Sequence, residues 1–177
     1  MAVVNLKSTI ISNRDATPKV LTDSYVSGGP LHESEGYVQS ASATDSSGSI
    51  YRLCQVPSNA RVSSIVLQSD ALGGSCAAGV GVYYPTFIPV GAGLSASNAS
   101  AVISATFFAS AQSLATAVSP TEVINQSGSN TIAKQELPLW SAIGLSADPG
   151  ISLDICVTLS AATASQGYVG LKVRYAE

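Results

Sequence analysis

The chain has 177 residues, of which 46% are hydrophobic and only 11% are charged, and its formal net charge is −3. A typical domain carries about a quarter of its residues as charged side chains, so Ser, Thr, Gly and Ala must cover much of this surface. The eight Lys and Arg residues are scattered, which argues against the basic patch that nucleic-acid binding requires. Gly, Ser, Pro and Asn interrupt the apolar runs, so no stretch of about 20 apolar residues is available to span a membrane.

Residues 1–44 predict an extended N-terminal arm. Pro18, the Gly28-Gly29-Pro30 run and Gly36 break any helix in this region, whereas its apolar residues are too numerous for a solvated tail. No basic region leads into an apolar core at the start, so no signal peptide is predicted and synthesis in a cytoplasm is expected. We expect the arm to contact a neighbouring molecule through Val3, Val4, Leu6, Ile10, Ile11, Val20 and Leu21.

Residues 45–177 predict one domain made of successive strands. Residues 50–56 and 62–68 are rich in Val, Ile, Leu and Tyr, and the connection Pro57-Ser58-Asn59-Ala60 between them has turn chemistry. This pattern predicts a β-hairpin.

Three further runs predict strands with one apolar face. In GVGVYY, the glycines opposite the apolar face permit close approach of another backbone. The later runs, ISLDICVTLS and YVGLKVRYAE, alternate apolar with polar residues. The residues predicted to face the interior are Val80, Val82, Tyr84, Ile151, Leu153, Ile155, Val157, Leu159, Val169, Leu171, Val173 and Tyr175.

Two segments predict short helical insertions. In residues 106–118, Phe107, Ala111, Leu114 and Val118 follow helical steps of four, three and four, although a packed loop would also fit this stretch. In LPLWSAIG, Pro138 stands at a predicted helix start and Gly144 just past its end.

Many short strands, Gly and Ser turns and the absence of a βαβ alternation indicate an all-β fold. We predict a jelly-roll-like antiparallel β-sandwich over residues 45–177, with one or two short helical insertions and the extended N-terminal arm at residues 1–44.

The sequence predicts no catalytic, cofactor or metal site. His32 is the one histidine, and it could pair with Glu33 or Asp23 to activate a serine, but an arm is a poor platform for such geometry. The acidic residues are dispersed and lack the spacing of a metal site. Three cysteines form no C-x-x-C pair and are predicted to be buried small hydrophobic residues: Cys54, Cys76 and Cys156.

Four segments resemble the head decoration, or cement, proteins of tailed bacteriophages: KSTIISNRDATPKVL, YRLCQVPSNARVSSIVLQSDAL followed by GVGVYY, FFASAQSLATAV, and LPLWSAIGLSADPGISLDICVTLSAATASQGYVGLKVRY. This resemblance covers nearly the whole chain. It implies a non-enzymatic virion protein, made in the host bacterial cytoplasm, that sits outside an icosahedral shell and bridges capsomers. The implied partners are the major capsid protein and neighbouring copies, as a dimer or trimer, with no nucleic acid, membrane or cofactor.

An alternative is a tail, baseplate or host-recognition (receptor-binding) module built on the same kind of sandwich. Such a module would bind a glycan or a cell surface. The scarcity of exposed-looking aromatic residues counts against it, since Trp140 is the only tryptophan and is predicted to lie in the core or an interface.

Overall fold

The computed structural model of the protein describes residues 7–24, 26–40, 45–89, 94–126 and 129–177. The α-helices in these ranges are α1 (Thr9–Asp15) and α2 (Leu139–Ala142), and short 3-10 helices cover Ala96–Asn98 and Ile132–Glu136. The strands are β1 (Leu31–Gln39), β2 (Ile50–Pro57), β3 (Arg61–Ser69), β4 (Ala77–Tyr83), β5 (Val102–Ser113), β6 (Val118–Glu122), β7 (Ser152–Leu159) and β8 (Tyr168–Ala176).

These strands form two four-stranded antiparallel sheets. One has the order β1-β8-β3-β6, here called the β8 sheet, and the other has the order β2-β7-β4-β5, here called the β7 sheet. The first strand therefore pairs with the last, the second with the seventh, the third with the sixth and the fourth with the fifth. This nested pairing is that of an eight-stranded jelly roll, and the predicted all-β sandwich is confirmed.

The core lies between the inner faces of the two sheets. Alternating residues of β7 and β8 fill its centre, as the sequence predicted, because successive side chains of a strand point to opposite faces. Cys156 departs from the alternation, which would assign it to the wet face of β7, and it is completely buried, as predicted for the three cysteines. The central residues, each at most 1% exposed, are Leu153, Ile155, Val157, Leu159, Val169, Leu171 and Val173.

The predicted hairpin is wrong, although both of its strands exist. β2 pairs with β7 and β3 pairs with β8 and β6, so the connection between them crosses from one sheet to the other. Alternation and turn residues identify two strands and a bend, but they do not identify the partner of either strand.

Helix α2 confirms the second predicted helix. It also holds the connection between β2 and β3 in place. The backbone N–H groups of Leu139 and Trp140 donate to the carbonyls of Ala60 and Ser58 at 2.8 and 2.9 Å. Gly144 follows the helix with a φ of +87°, a conformation that glycine adopts without strain.

The helix predicted over residues 106–118 is wrong, because this region forms β5, a connection and the start of β6. Strand β5 is strongly bulged. Between the pairs Val80–Ala109 and Val82–Ser104, β4 advances by two residues while β5 advances by five. The surplus residues disturb the period of two, so the apolar spacing imitates that of a helix.

The surplus chain of β5 lies directly on the glycines of β4. A Cβ atom on Gly81 would overlap the backbone of Ser104 and Ala105, and one on Gly79 would lie 2.7 Å from Cγ2 of Thr106. The close backbone approach predicted at these glycines is therefore present.

Residues assigned to the extended arm form two regular elements, α1 and β1. Strand β1 pairs with β8 from Leu31–Ala176 to Gln39–Tyr168, so the sandwich includes residues 31–39. The sequence LHESEGYVQ does not reveal this strand, since its half-buried positions hold Ser34, Gly36 and Val38, of which only Val38 is a large apolar residue, and none of its residues is fully buried.

We predict opposite effects of alanine at two strand glycines. Gly81→Ala should lower the free energy of unfolding by about 3 kcal/mol because the new methyl group collides with backbone. Gly170→Ala should raise it by about 0.5–1 kcal/mol, since the nearest atom to a Cβ there is 3.5 Å away. Urea denaturation of both variants tests this, and equal effects would contradict it.

Candidate interaction surfaces

Residues 7–24, here called the N-terminal segment, fold mainly on themselves. The Ser8 side chain caps α1 by accepting from the backbone N–H of Ile11 at 3.5 Å. The Asn13 carbonyl accepts from the N–H of Val20 at 3.3 Å, and the Asn13 amide donates to the Thr22 hydroxyl at 3.4 Å. These bonds bring the chain after α1 back alongside the helix.

The N-terminal segment buries none of its residues. Among the described residues, every hydrogen bond made by residues 7–22 stays within those residues. Of the predicted contact residues, Ile10 and Ile11 are half-buried, whereas Val20 and Leu21 are 49% and 86% exposed. The other three, Val3, Val4 and Leu6, lie outside the described residues.

A ladder of opposite charges covers the β1–β8 side of the β8 sheet. The register places Glu33 opposite Arg174 and Glu35 opposite Lys172. Arg174 Nε lies 2.8 Å from Glu33 Oε2, and Lys172 Nζ lies 3.3 Å from Glu35 Oε2. The Arg174 hydrogen bond lowers the pKa of Glu33, and the Glu35 hydrogen bond raises the pKa of Lys172. Exposed pairs of this kind add little stability, but they neutralise the surface locally.

A groove of about 700 Å³ runs over the outer face of the β8 sheet beside this ladder. Gly170 of β8 lies between Tyr37 of β1 and Gln68 of β3 in the strand register, so the middle of this row has no side chain. Tyr37 and Tyr168 border the groove, with ring centroids 5.8 Å apart in an edge-to-face arrangement. The tyrosines are 73% and 48% exposed.

Arg52 anchors the edge strand of the β7 sheet. Its Nη1 donates to Asp154 Oδ2 at 2.6 Å and to the Tyr84 carbonyl at 2.9 Å, and its Nη2 donates to the Ser100 carbonyl at 3.2 Å. The guanidinium also lies 5.6 Å from the centroid of the Tyr83 ring. One side chain thus joins β2, β7 and the chain that connects β4 to β5.

His32 lies at the exposed start of β1. Its ring stacks on Tyr175 with a centroid distance of 5.5 Å, and its Nε2 is 3.9 Å from Glu177 Oε2. Glu33, which the sequence offered as a partner, engages Arg174 and Lys172 instead. The described ranges contain no group of three or more His, Cys, Asp or Glu side chains that could hold a metal ion.

The three cysteines are buried and unpaired, in agreement with the sequence. Cys54 Sγ lies 3.3 Å from the Ser34 carbonyl and 3.4 Å from the Leu171 carbonyl, between the two sheets. Burial raises the pKa of the Cys54 thiol to about 11 and that of Cys156 to about 12. Such thiols act as small apolar groups.

No helix in the described part of the chain is long and apolar enough to cross a membrane.

Sequence reasoning missed both the Arg52 anchor and the tyrosine-bordered groove. Arg52 and Asp154 are 102 positions apart, and no local pattern links them. The two tyrosines come together only because β1 pairs with β8, and β1 itself was not predicted.

We predict that Arg52→Gln lowers the free energy of unfolding by about 2 kcal/mol, since it removes charged hydrogen bonds and leaves the half-buried Asp154 carboxylate without its cation. The matched change Arg174→Gln replaces an exposed side chain and should lower the free energy of unfolding by at most about 0.5 kcal/mol. Urea denaturation of both variants measures the difference. An Arg52→Gln cost as small as that of Arg174→Gln would contradict the anchoring role.

We also predict that the thiols of the native protein resist a disulfide reagent at about pH 8 and react once the chain unfolds. Because the folded-state pKa values of Cys54 and Cys156 are raised, their neutral thiols stabilise the fold fully below the ordinary thiol pKa of about 8.5. This stabilisation should decline as the pH rises through about 11 and 12. Rapid reaction of any native thiol would contradict the buried placement.

Comparison with known proteins gives a distant structural similarity. No protein-family model and no curated protein sequence matches the chain. The solved cyanophage Pam1 capsid asymmetric unit is similar over 89% of this chain and 91% of that chain, with a TM-score of 0.49 and 17% sequence identity.

Proposed function

We propose that the protein is a structural component of a tailed-bacteriophage particle, a decoration or cement protein that binds the outside of the assembled icosahedral head and bridges capsomers. The observation that carries this proposal is the N-terminal segment, which has its own hydrogen bonds but no buried residue.

The sandwich supplies its own core without help from this segment. Its apolar interior is made by residues from Cys54 onward, and its first strand starts only at Leu31. An ordered segment that leaves Val20 and Leu21 exposed is best explained by a surface outside the chain. Full burial of a Val or Leu side chain contributes about 1.5–3 kcal/mol, so a few such residues suffice for attachment.

The surface composition supports contact with another protein over contact with nucleic acid. Only 11% of the residues are charged, and the ladder on the β8 sheet pairs acids with bases. A docking face with few unpaired ions loses little free energy through desolvation. The proposed partners are therefore the major capsid protein and neighbouring copies of this chain, in a dimer or trimer.

Attachment to the assembled head would stabilise it by mass action. A ligand that binds the assembled lattice and not its separated subunits adds RT ln(1 + [L]/Kd) at every site. The stabilising free energy added at every site would together resist the pressure from the packed genome, and no chemical reaction is needed.

We predict that Leu21→Asp weakens binding to phage heads that lack this component by about tenfold or more, since a charge replaces a side chain that becomes buried and tenfold corresponds to about 1.4 kcal/mol. Deletion of residues 2–22 should abolish binding while the sandwich still unfolds cooperatively. Cosedimentation with heads measures the binding of both variants, and urea denaturation measures the unfolding of the deletion variant.

The matched control is Ile132→Asp, because Ile132 is 81% exposed and lies outside the N-terminal segment. This variant should bind as the unchanged protein does. If the deletion variant binds heads with unchanged affinity, the segment is not the attachment element. Retention of the unchanged protein on tails or host cells, with none on heads, would favour the tail or host-recognition alternative.

A further inference from the structure

We propose that the groove on the outer face of the β8 sheet is a binding site for a neutral oligosaccharide. This function is additional to head attachment and does not rest on it. Four features carry the inference: a glycine that the fold does not require, two exposed tyrosines, unpartnered polar groups, and a local balance of charge.

Gly170 has no internal reason to be glycine. The glycines of β4 accommodate the chain of β5, and Gly36 accommodates the backbone of Leu53. At Gly170 a Cβ atom would meet its nearest neighbour, Gln68 Cγ, at 3.5 Å, and the φ angle is not positive. Glycine inside a strand weakens it and often marks close approach of a ligand. Here it keeps the floor of the groove open.

Two large aromatic side chains border this open floor. Tyr37 lies directly opposite Gly170, and Tyr168 precedes Gly170 by two residues on the same face of β8. Both side chains are more than 45% exposed, although an aromatic ring contributes most to the free energy of folding or binding when it is buried. The flat apolar face of a phenol ring fits the C–H face of a pyranose, and its hydroxyl can hydrogen-bond to a sugar hydroxyl.

The polar groups of the groove are available to a ligand. Among the described residues, the Gln68 amide and the hydroxyls of Tyr37 and Tyr168 have no hydrogen-bond partner in the chain. The Asp70 carboxylate is positioned at the groove by accepting from the N–H of Tyr168 at 2.9 Å. A concave site with apolar walls and a few placed polar groups is the usual form of a small-ligand site.

The charges of the groove favour a neutral ligand. Glu35, Lys172 and Arg174 line it, and each is engaged in the ladder of ion pairs. The fourth charged residue of the lining, Asp70, carries a carboxylate that would repel an anion. An acidic glycan or a phosphate would have to compete with Glu33 and Glu35 for these cations. A peptide adding as a strand would use the backbone groups of a sheet edge, whereas this groove lies over the face of the sheet.

The test is a titration of the full chain with maltohexaose, cellohexaose, mannohexaose and chitohexaose, and with polygalacturonate as an acidic comparison, followed by saturation-transfer NMR and calorimetry. We expect at least one neutral hexasaccharide to bind with a dissociation constant tighter than about 1 mM, and polygalacturonate to bind more weakly.

Three variants locate the site. Gly170→Thr fills the floor with a residue that strands tolerate well, so it should stay folded and lose binding by about tenfold or more, equivalent to about 1.4 kcal/mol. Tyr168→Ala should do the same. Phe87→Ala removes an aromatic ring that is 73% exposed but does not line the groove, and it should bind normally.

Absence of binding to all four neutral hexasaccharides would overturn the proposal, as would binding that Gly170→Thr leaves unchanged. Loss of head binding in Gly170→Thr and Tyr168→Ala would also overturn it, by showing that the groove receives a capsid protein. Head attachment is tested separately through Leu21, so failure of either proposal leaves the other measurable.

Discussion

The burial of two apolar sheet faces against each other is the constraint on which the rest of the molecule depends. The C-terminal strands β7 and β8 lie inside their sheets, each with a neighbour on both sides. Their inward residues are almost completely buried, and burial of this kind is the dominant favourable contribution to folding. In the nested pairing, β8 lies between β1 and β3, and β7 lies between β2 and β4. The ladder of charges and the groove both involve β8, and the Arg52 anchor involves Asp154 of β7.

The sequence allowed prediction of whatever depends on local alternation. The strands at Leu153 and Leu171 were predicted because one covered face produces a period of two. The strand at Val80 was predicted from its alternation of Gly and Val, although both of its faces are buried, and α2 was predicted from Pro138 and Gly144. Strand partners could not be predicted, so the crossing connection at Pro57 was taken for a hairpin. Bulges in β5 replaced the period of two by a spacing that imitates a helix. The edge strand β1 had no apolar alternation because two of its three half-buried positions hold Ser34 and Gly36.

The candidate surfaces were predictable to different degrees. Apolar residues such as Val20 and Leu21 in a segment without alternation indicated contacts outside the sandwich, and the structure leaves both exposed. The groove was not predictable, since Tyr37, Gln68 and Gly170 come from three strands that the sequence did not join. The two surfaces therefore support separate proposals, one for attachment through the N-terminal segment and one for recognition of a sugar on a sheet face.

The central claim is that the N-terminal segment attaches the protein to a phage head. Hydrogen exchange of its backbone amides, compared between the free and the head-bound protein, tests this most directly. We predict rapid exchange at residues 9–22 in the free protein, where none is buried, and clear slowing on heads, with the β7 and β8 amides protected in both states. Unchanged rapid exchange at residues 9–22 in protein that remains bound to heads would contradict it.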